Sequence, residues 1–218
     1  MSTYVRPELP RQVFHDASGA VIDYGNRWAD RPGRLPPDDM YSVVTHPERF
    51  APLHTVADAL IAHLAETYAV TVVEDPSVAS DLLRRVDDAV RAVRLVPDNP
   101  DGAPLTVVYT AFPGVIVHAG LLHDFVFPDC GCDACDESVE SAAEEMERLV
   151  LAVAAGDYAE TVNNDAGTWI GYELGDAENM RRGRRMATPE ELERVAAAAR
   201  ERFRALPRGW QPWPARAE

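Results

Sequence analysis

Apolar positions in this chain change their period several times. From Thr55, the residues Val56, Leu60 and Leu64 recur at i, i+4 and i+8, with Ala57 and Ile61 widening the stripe. That spacing predicts an amphipathic helix of roughly three turns, and Thr55 with Asp58 has capping-box spacing at its start. The β-branched run Val70–Val73 reads as a strand. Asp75-Pro76 then supplies an N-cap and a first-turn proline, and Val78, Leu82 and Val86 continue as a second amphipathic helix. Between residues 89 and 127 the period falls to two. Val93 and Leu95 alternate with Arg94, and Asp98–Gly102 is a turn cluster. Leu105–Ala111 and Val115–Leu122 form two strands joined at Pro113-Gly114, with Phe125–Phe127 extending the second.

A longer helical stripe follows. Asp136 reads as its cap, Val139, Ala142, Ala143, Met146, Leu149, Val150 and Val153 as its buried face, and Gly156 as its stop. Thr168–Leu174 alternates as another strand. Thr188-Pro189-Glu190-Glu191 places an N-cap, a first-turn proline and a capping-box glutamate in order, opening a last helix over 188–206. Its buried face is Leu192, Val195, Ala199 and Phe203. Residues 1–53 hold seven of the 17 prolines, with a short strand at Val21–Tyr24, and read as an irregular wrap anchored by aromatics such as Tyr4, Trp28 and Phe50. The sum is an α+β fold in a single domain over residues 1–218: an antiparallel β meander packed against about four helices.

Composition narrows the function. Of 218 residues, 46% are hydrophobic and 26% charged, as in an ordinary globular chain. Acids number 36 against 21 basic residues, giving a net charge of −15, which argues against a phosphate-backbone binder. Every one of those 21 basic residues is arginine. Without lysine there is no Schiff-base amine and no Walker A loop. The asymmetry is local. Residues 181–218 carry ten arginines against five acids, and Arg181-Arg182-Gly183-Arg184-Arg185 reads as a solvated loop or an internal contact with the acidic remainder, with phosphate contact as the alternative. The first 25 residues lack an apolar segment suited to a secretory signal. The uncharged run Gly102–His123 is interrupted by Pro104 and Pro113-Gly114, so it does not read as a membrane span. Three cysteines within six residues make no secreted disulfide framework, and a cytoplasmic protein with reduced thiols is expected.

Cys130, Cys132 and Cys135 carry the chemistry. Pro128 and Gly131 force a tight turn that can converge three thiols, and three thiolates with one nitrogen donor make a closed tetrahedral set for zinc, the expected ion; the alternatives are a small-residue turn with partly buried thiols and a redox site. His123 is the candidate fourth ligand. His118 is the weaker one, because odd spacing along a continuous strand sends the two imidazoles to opposite faces. Asp129, Asp133, Asp136 and Glu137 favour a bound cation and raise thiol pKa values, against the helix N-terminus that lowers them. His46, His54 and His63 lie near the first helix and read as solvated or core residues. His123-Asp124 has the makings of an acid–base pair, but no nucleophile elbow or His-Glu-x-x-His motif accompanies it, so the reading leans away from an enzyme.

The segments His118–Asp124, Phe127-Pro128 and Cys130-Gly131-Cys132-Asp133-Ala134-Cys135-Asp136-Glu137 resemble a family of uncharacterised proteins from high-GC actinobacteria. Tyr41–Phe50 and Gly209–Pro214 extend the resemblance over most of the chain, which implies kinship and no mechanism. Three functional readings follow. The first is a cytoplasmic domain with a structural zinc turn and a binding role. The second is an acidic inhibitor or immunity-type protein that engages a basic partner, with Glu140, Glu144 and Glu147 as an exposed ridge. The third is a metal-dependent, hydrolase-like enzyme. Neither nucleic acid nor membrane is an expected partner.

Overall fold

The uncharged middle of the chain becomes the centre of a sheet. A computed structural model describes residues 3–31, 33, 35–163, 167–175, 179–191, 201–202, 206 and 209–217. Strands β1 (Phe14–His15) and β2 (Val21–Ile22) form a small hairpin, followed by α1 (Pro52–Thr67) and β3 (Val70–Glu74). Strands β4 (Ala89–Pro97), β5 (Leu105–Thr110), β6 (Val115–Ala119) and β7 (His123–Phe127) complete a five-stranded antiparallel meander in the order β3-β4-β5-β6-β7. Helix α2 (Val139–Ala155) leads into a second meander of β8 (Tyr158–Asn163), β9 (Trp169–Leu174) and β10 (Arg181–Met186). Helix α3 is described from Pro189 to Glu191.

Helices α1 and α2 pack on each other and on one face of the larger sheet. Leu53, Leu60 and Leu64 of α1 and Met146, Leu149 and Val153 of α2 meet Leu95, Leu105, Val107, Val117 and Phe127 in one contiguous core. The reverse face, at Ala92 and Val108, is covered by Val78, Leu82 and Val86. Strand β5 is therefore buried at every position, as its lack of charge requires. Residues 209–217 return to this core. Trp210 and Trp213 are buried, the Trp213 indole donates to the Ala103 carbonyl (2.9 Å), and Ala215 bridges Tyr68.

Several boundaries differ from the sequence reading. Helix α1 starts at Pro52 without a side-chain cap, and Asp58 instead accepts from the Tyr109 hydroxyl (2.6 Å). Asp75 does cap the next segment, through the Ser77 N–H, but Pro76–Asp81 is a 3-10 turn and not an α-helix. The Leu83 N–H is taken by the Asp124 carboxylate (2.8 Å), outside any helical ladder. The Val115–Leu122 strand breaks at Gly120 (φ +67°), and Phe125–Phe127 belongs to a separate strand. Helix α2 is capped by Ser138 through the Ser141 N–H; Asp136 sits outside it with φ +54°. Among the described residues, then, two long α-helices serve the meander, and positions 192–200 and 203–205 of the expected last helix, with its face at Leu192, Val195, Ala199 and Phe203, lie outside them.

Candidate metal centre

The cysteine turn connects β7 to α2, past a cis Phe127–Pro128 peptide. The sulfurs of Cys130, Cys132 and Cys135 all lie within 4.8 Å of one another, and those of Cys130 and Cys132 are 3.3 Å apart. Cys132 is buried, Cys130 half-buried and Cys135 exposed. A Cβ on Gly131 would meet the tip of the Phe112 ring, which packs directly on the backbone of the turn.

A lining of hydrogen bonds holds this turn in place. The Glu137 carboxylate accepts the N–H groups of Asp129 (3.2 Å) and Cys130 (3.0 Å), gathering the turn from below. From the N-terminal wrap, the Trp28 indole donates to the Ala134 carbonyl (3.0 Å) and the Arg49 guanidinium to the Gly131 carbonyl (2.9 Å). Backbone N–H groups of Asp133 and Ala134 reach the carbonyls of Val43 and Met40. Asp133 has no exposed surface; its carboxylate accepts the Thr45 hydroxyl (2.9 Å) and lies 3.6 Å from Arg27. Asp136 accepts the Arg27 N–H (2.8 Å). Two of the four acids expected to attract a cation to the sulfurs are thus turned to the wrap.

The thiols differ in acidity. Burial pushes Cys132 up, but the Cys135 N–H, the Cys130 and Cys135 thiols and the Ser42 backbone outweigh it and bring Cys132 down to about 7. Cys135, hydrogen-bonded to Cys130 and Cys132 and partly desolvated, is pushed up to about 12. One thiolate is easily formed, and a second beside it is opposed by the first. A dication removes that opposition.

His123 is not brought to the sulfurs. It opens β7, while the cysteine turn follows the other end of that strand, about 13 Å away at the usual rise per residue. Its Nδ1 faces Glu160 Oε1 (3.1 Å), and its Nε2 is buried without a partner. Glu160, on β8, has a fully buried side chain and also accepts the N–H groups of Leu121 (3.0 Å) and Leu122 (2.8 Å) and the Trp210 indole (3.0 Å). A Cβ on Gly120 would fall on that carboxylate. His118 pairs with Asp124 (2.7 Å) on the opposite face of the sheet, because Asp124 is its register partner while Ala119 is that of His123. The two imidazoles do face apart, through a turn and not along one strand.

No fourth His, Cys, Asp or Glu joins the three cysteines among the described residues. His46 is spent on Glu48 and the His15 carbonyl, and His54 on the Gly114 carbonyl. His63 packs edge-on against Tyr4. The acidic ridge is also partly internal: Glu147 is buried and binds Tyr4 (2.8 Å) and Arg6 (Nε, 2.8 Å). The patch lies on strand β10 and is not a loop; Arg181 on Glu145 and Arg182 on Glu173 make the internal contact with the acidic remainder, while Arg185 pairs with Glu191 inside the C-terminal part. Sequence reasoning missed Glu160; its one signal is an acid in the inward register of Tyr158 on a strand. No described helix is long and apolar enough to cross a membrane.

The fold and the turn define an α+β protein with a three-thiol site able to coordinate a metal ion such as zinc. The chain belongs to the family of unknown function DUF6226, whose model matches residues 10–217. No curated protein and no solved structure matches it.

Proposed function

We propose that Cys130, Cys132 and Cys135 hold one zinc ion, and that the ion fixes the N-terminal wrap onto the sheet and helices of a single cytoplasmic domain. The convergence of three sulfurs within 4.8 Å on a turn already held by hydrogen bonds carries this reading. Three soft donors suit zinc, and binding releases the thiol protons. Three thiolates also overshoot the dication by one negative charge. Such an ion polarises a bound water weakly, which favours a structural over a hydrolytic role. Cys135 lies at the exposed side of the cluster, the side that solvent reaches.

Elemental analysis of the full-length protein, purified without chelator from zinc-supplemented medium, tests this. About one zinc per chain is expected, falling in C130S, C132S and C135S. Sub-stoichiometric zinc in the wild type, or zinc retained in the triple variant, overturns it.

A further inference from the structure

Strand β7 ends the five-stranded sheet and β10 ends the three-stranded one, and both line a single cleft of about 570 Å³. All five residues of β7 contribute to its wall. At one end is His123, with its side chain 7% exposed and its Nδ1 held by Glu160. A carboxylate accepts, so the hydrogen of this contact sits on Nδ1 and Nε2 is the ring nitrogen that Glu160 does not engage. That Nε2 has no hydrogen-bond partner. Along the middle, Phe125 and Tyr172 meet edge to face with ring centres 4.9 Å apart. At the other end, Asp129 and Glu137 line the cleft without an ion pair among the described residues, Glu137 also accepting the N–H groups of Asp129 and Cys130.

Two of the three cationic groups of the wall are paired with acids. Arg181 is bound to Glu145, and Arg185 is held by both oxygens of Glu191 (2.7 Å each). Arg184 stacks over Trp169, on the face of β10 that turns away from Tyr172. What the cleft offers a ligand is therefore an unengaged ring nitrogen, aromatic faces and two carboxylates. This set suits a donor-rich cation and disfavours an anion. The spacing is set by β7. Its five residues span about 13 Å from His123 to Phe127, and Asp129 follows two residues beyond that end.

We propose that this cleft binds a long aliphatic diamine or polyamine, extended along β7. One ammonium donates to His123 Nε2, the methylene chain lies across Phe125 and Tyr172, and the far ammonium meets Asp129 and Glu137. Nε2 is buried beside the Tyr172 ring, whose centre is 5.2 Å from that of the imidazole and which rests on Gly183, so entry of the ammonium requires that ring to move. A reach of this kind needs about ten chain atoms between or including the nitrogens. Butane-1,4-diamine is too short, and a monoamine satisfies one end only.

Calorimetric titration of the full-length protein with spermidine and octane-1,8-diamine tests the proposal, with butane-1,4-diamine and octylamine as controls. One long diamine per chain is expected, bound at least tenfold more tightly than either control and weakened by added salt. D129N/E137Q should remove the preference for length, whereas E140Q/E144Q, on the exposed face of α2, should leave it intact. The His123 imidazole nitrogen resonance should shift on saturation, and H123Q should bind all four amines alike. If H123Q does not fold, the length series in the wild type and D129N/E137Q decides. Equal affinity for long diamines and controls, or no binding at millimolar concentration, overturns the proposal.

Discussion

Glu191 shows what one carboxylate can do when its neighbours are fixed. It accepts from Arg185 through both oxygens and closes a reciprocal cap with Thr188, whose N–H it accepts (2.8 Å) and whose hydroxyl accepts the Glu191 N–H (3.3 Å). The Arg185 hydrogen bonds outweigh burial and hold its pKa down to about 2. A depressed carboxylate contributes stability above its unfolded value of about 4.3, and that contribution is lost as pH falls toward the folded value. Denaturation midpoints of wild type and E191Q should therefore differ by roughly 1–2 kcal/mol at pH 7 and converge between pH 4 and pH 2. A gap independent of pH would show that the carboxylate charge is not the cause. Gly120 is constrained differently. Its φ of +67° and the carboxylate of Glu160 both exclude a side chain, so Gly120→Ala should lower stability by about 2 kcal/mol or more in urea unfolding.

Among the elements, α2 is the most readily derived from composition and spacing. Its stripe is buried as the period requires, and Gly156 closes it in the left-handed conformation. Only its cap was displaced, from Asp136 to Ser138, because Asp136 is drawn to the Arg27 N–H and leaves the capping role to the next hydroxyl. Ser138→Ala should cost about 1 kcal/mol, read from the urea midpoint. The meander was legible because alternation and missing charge mark a strand buried on both faces. Strands β8 and β10 were not. In β8 the inward position beside Tyr158 is an acid, and β10 is Arg-Arg-Gly-Arg-Arg-Met, an edge whose arginines find acids instead of a core. The three-thiol convergence was visible in Cys-x-Cys-x-x-Cys, since so short a loop cannot separate the sulfurs far. The place of His123 depended on a turn at Gly120 that spacing alone does not reveal. The binding of the wrap by Asp133 rests on contacts between residues 88 positions apart, beyond any local pattern.

At the scale of the molecule, the cysteine turn joins two parts of the chain that meet only in the folded state. If zinc fixes that joint, chelation or C132S should speed limited proteolysis between residues 27 and 49 while the far-ultraviolet circular dichroism of the sheets and helices changes little. Cleavage rates unaffected by zinc would separate the wrap from the metal. Asp133→Asn, which removes a buried charge beside Arg27 and Arg49, should loosen the same segment with or without metal and lower stability by about 3 kcal/mol. The returning segment that carries Trp210 and Trp213 has a consequence in time. A ribosome makes these residues after everything they pack against, so the emerging polypeptide holds a finished sheet with an open seam. Until Trp210 arrives, Glu160 lacks its indole donor, and until Trp213 arrives the Ala103 carbonyl lacks its own. During that interval the nascent chain is exposed to chaperones and proteases.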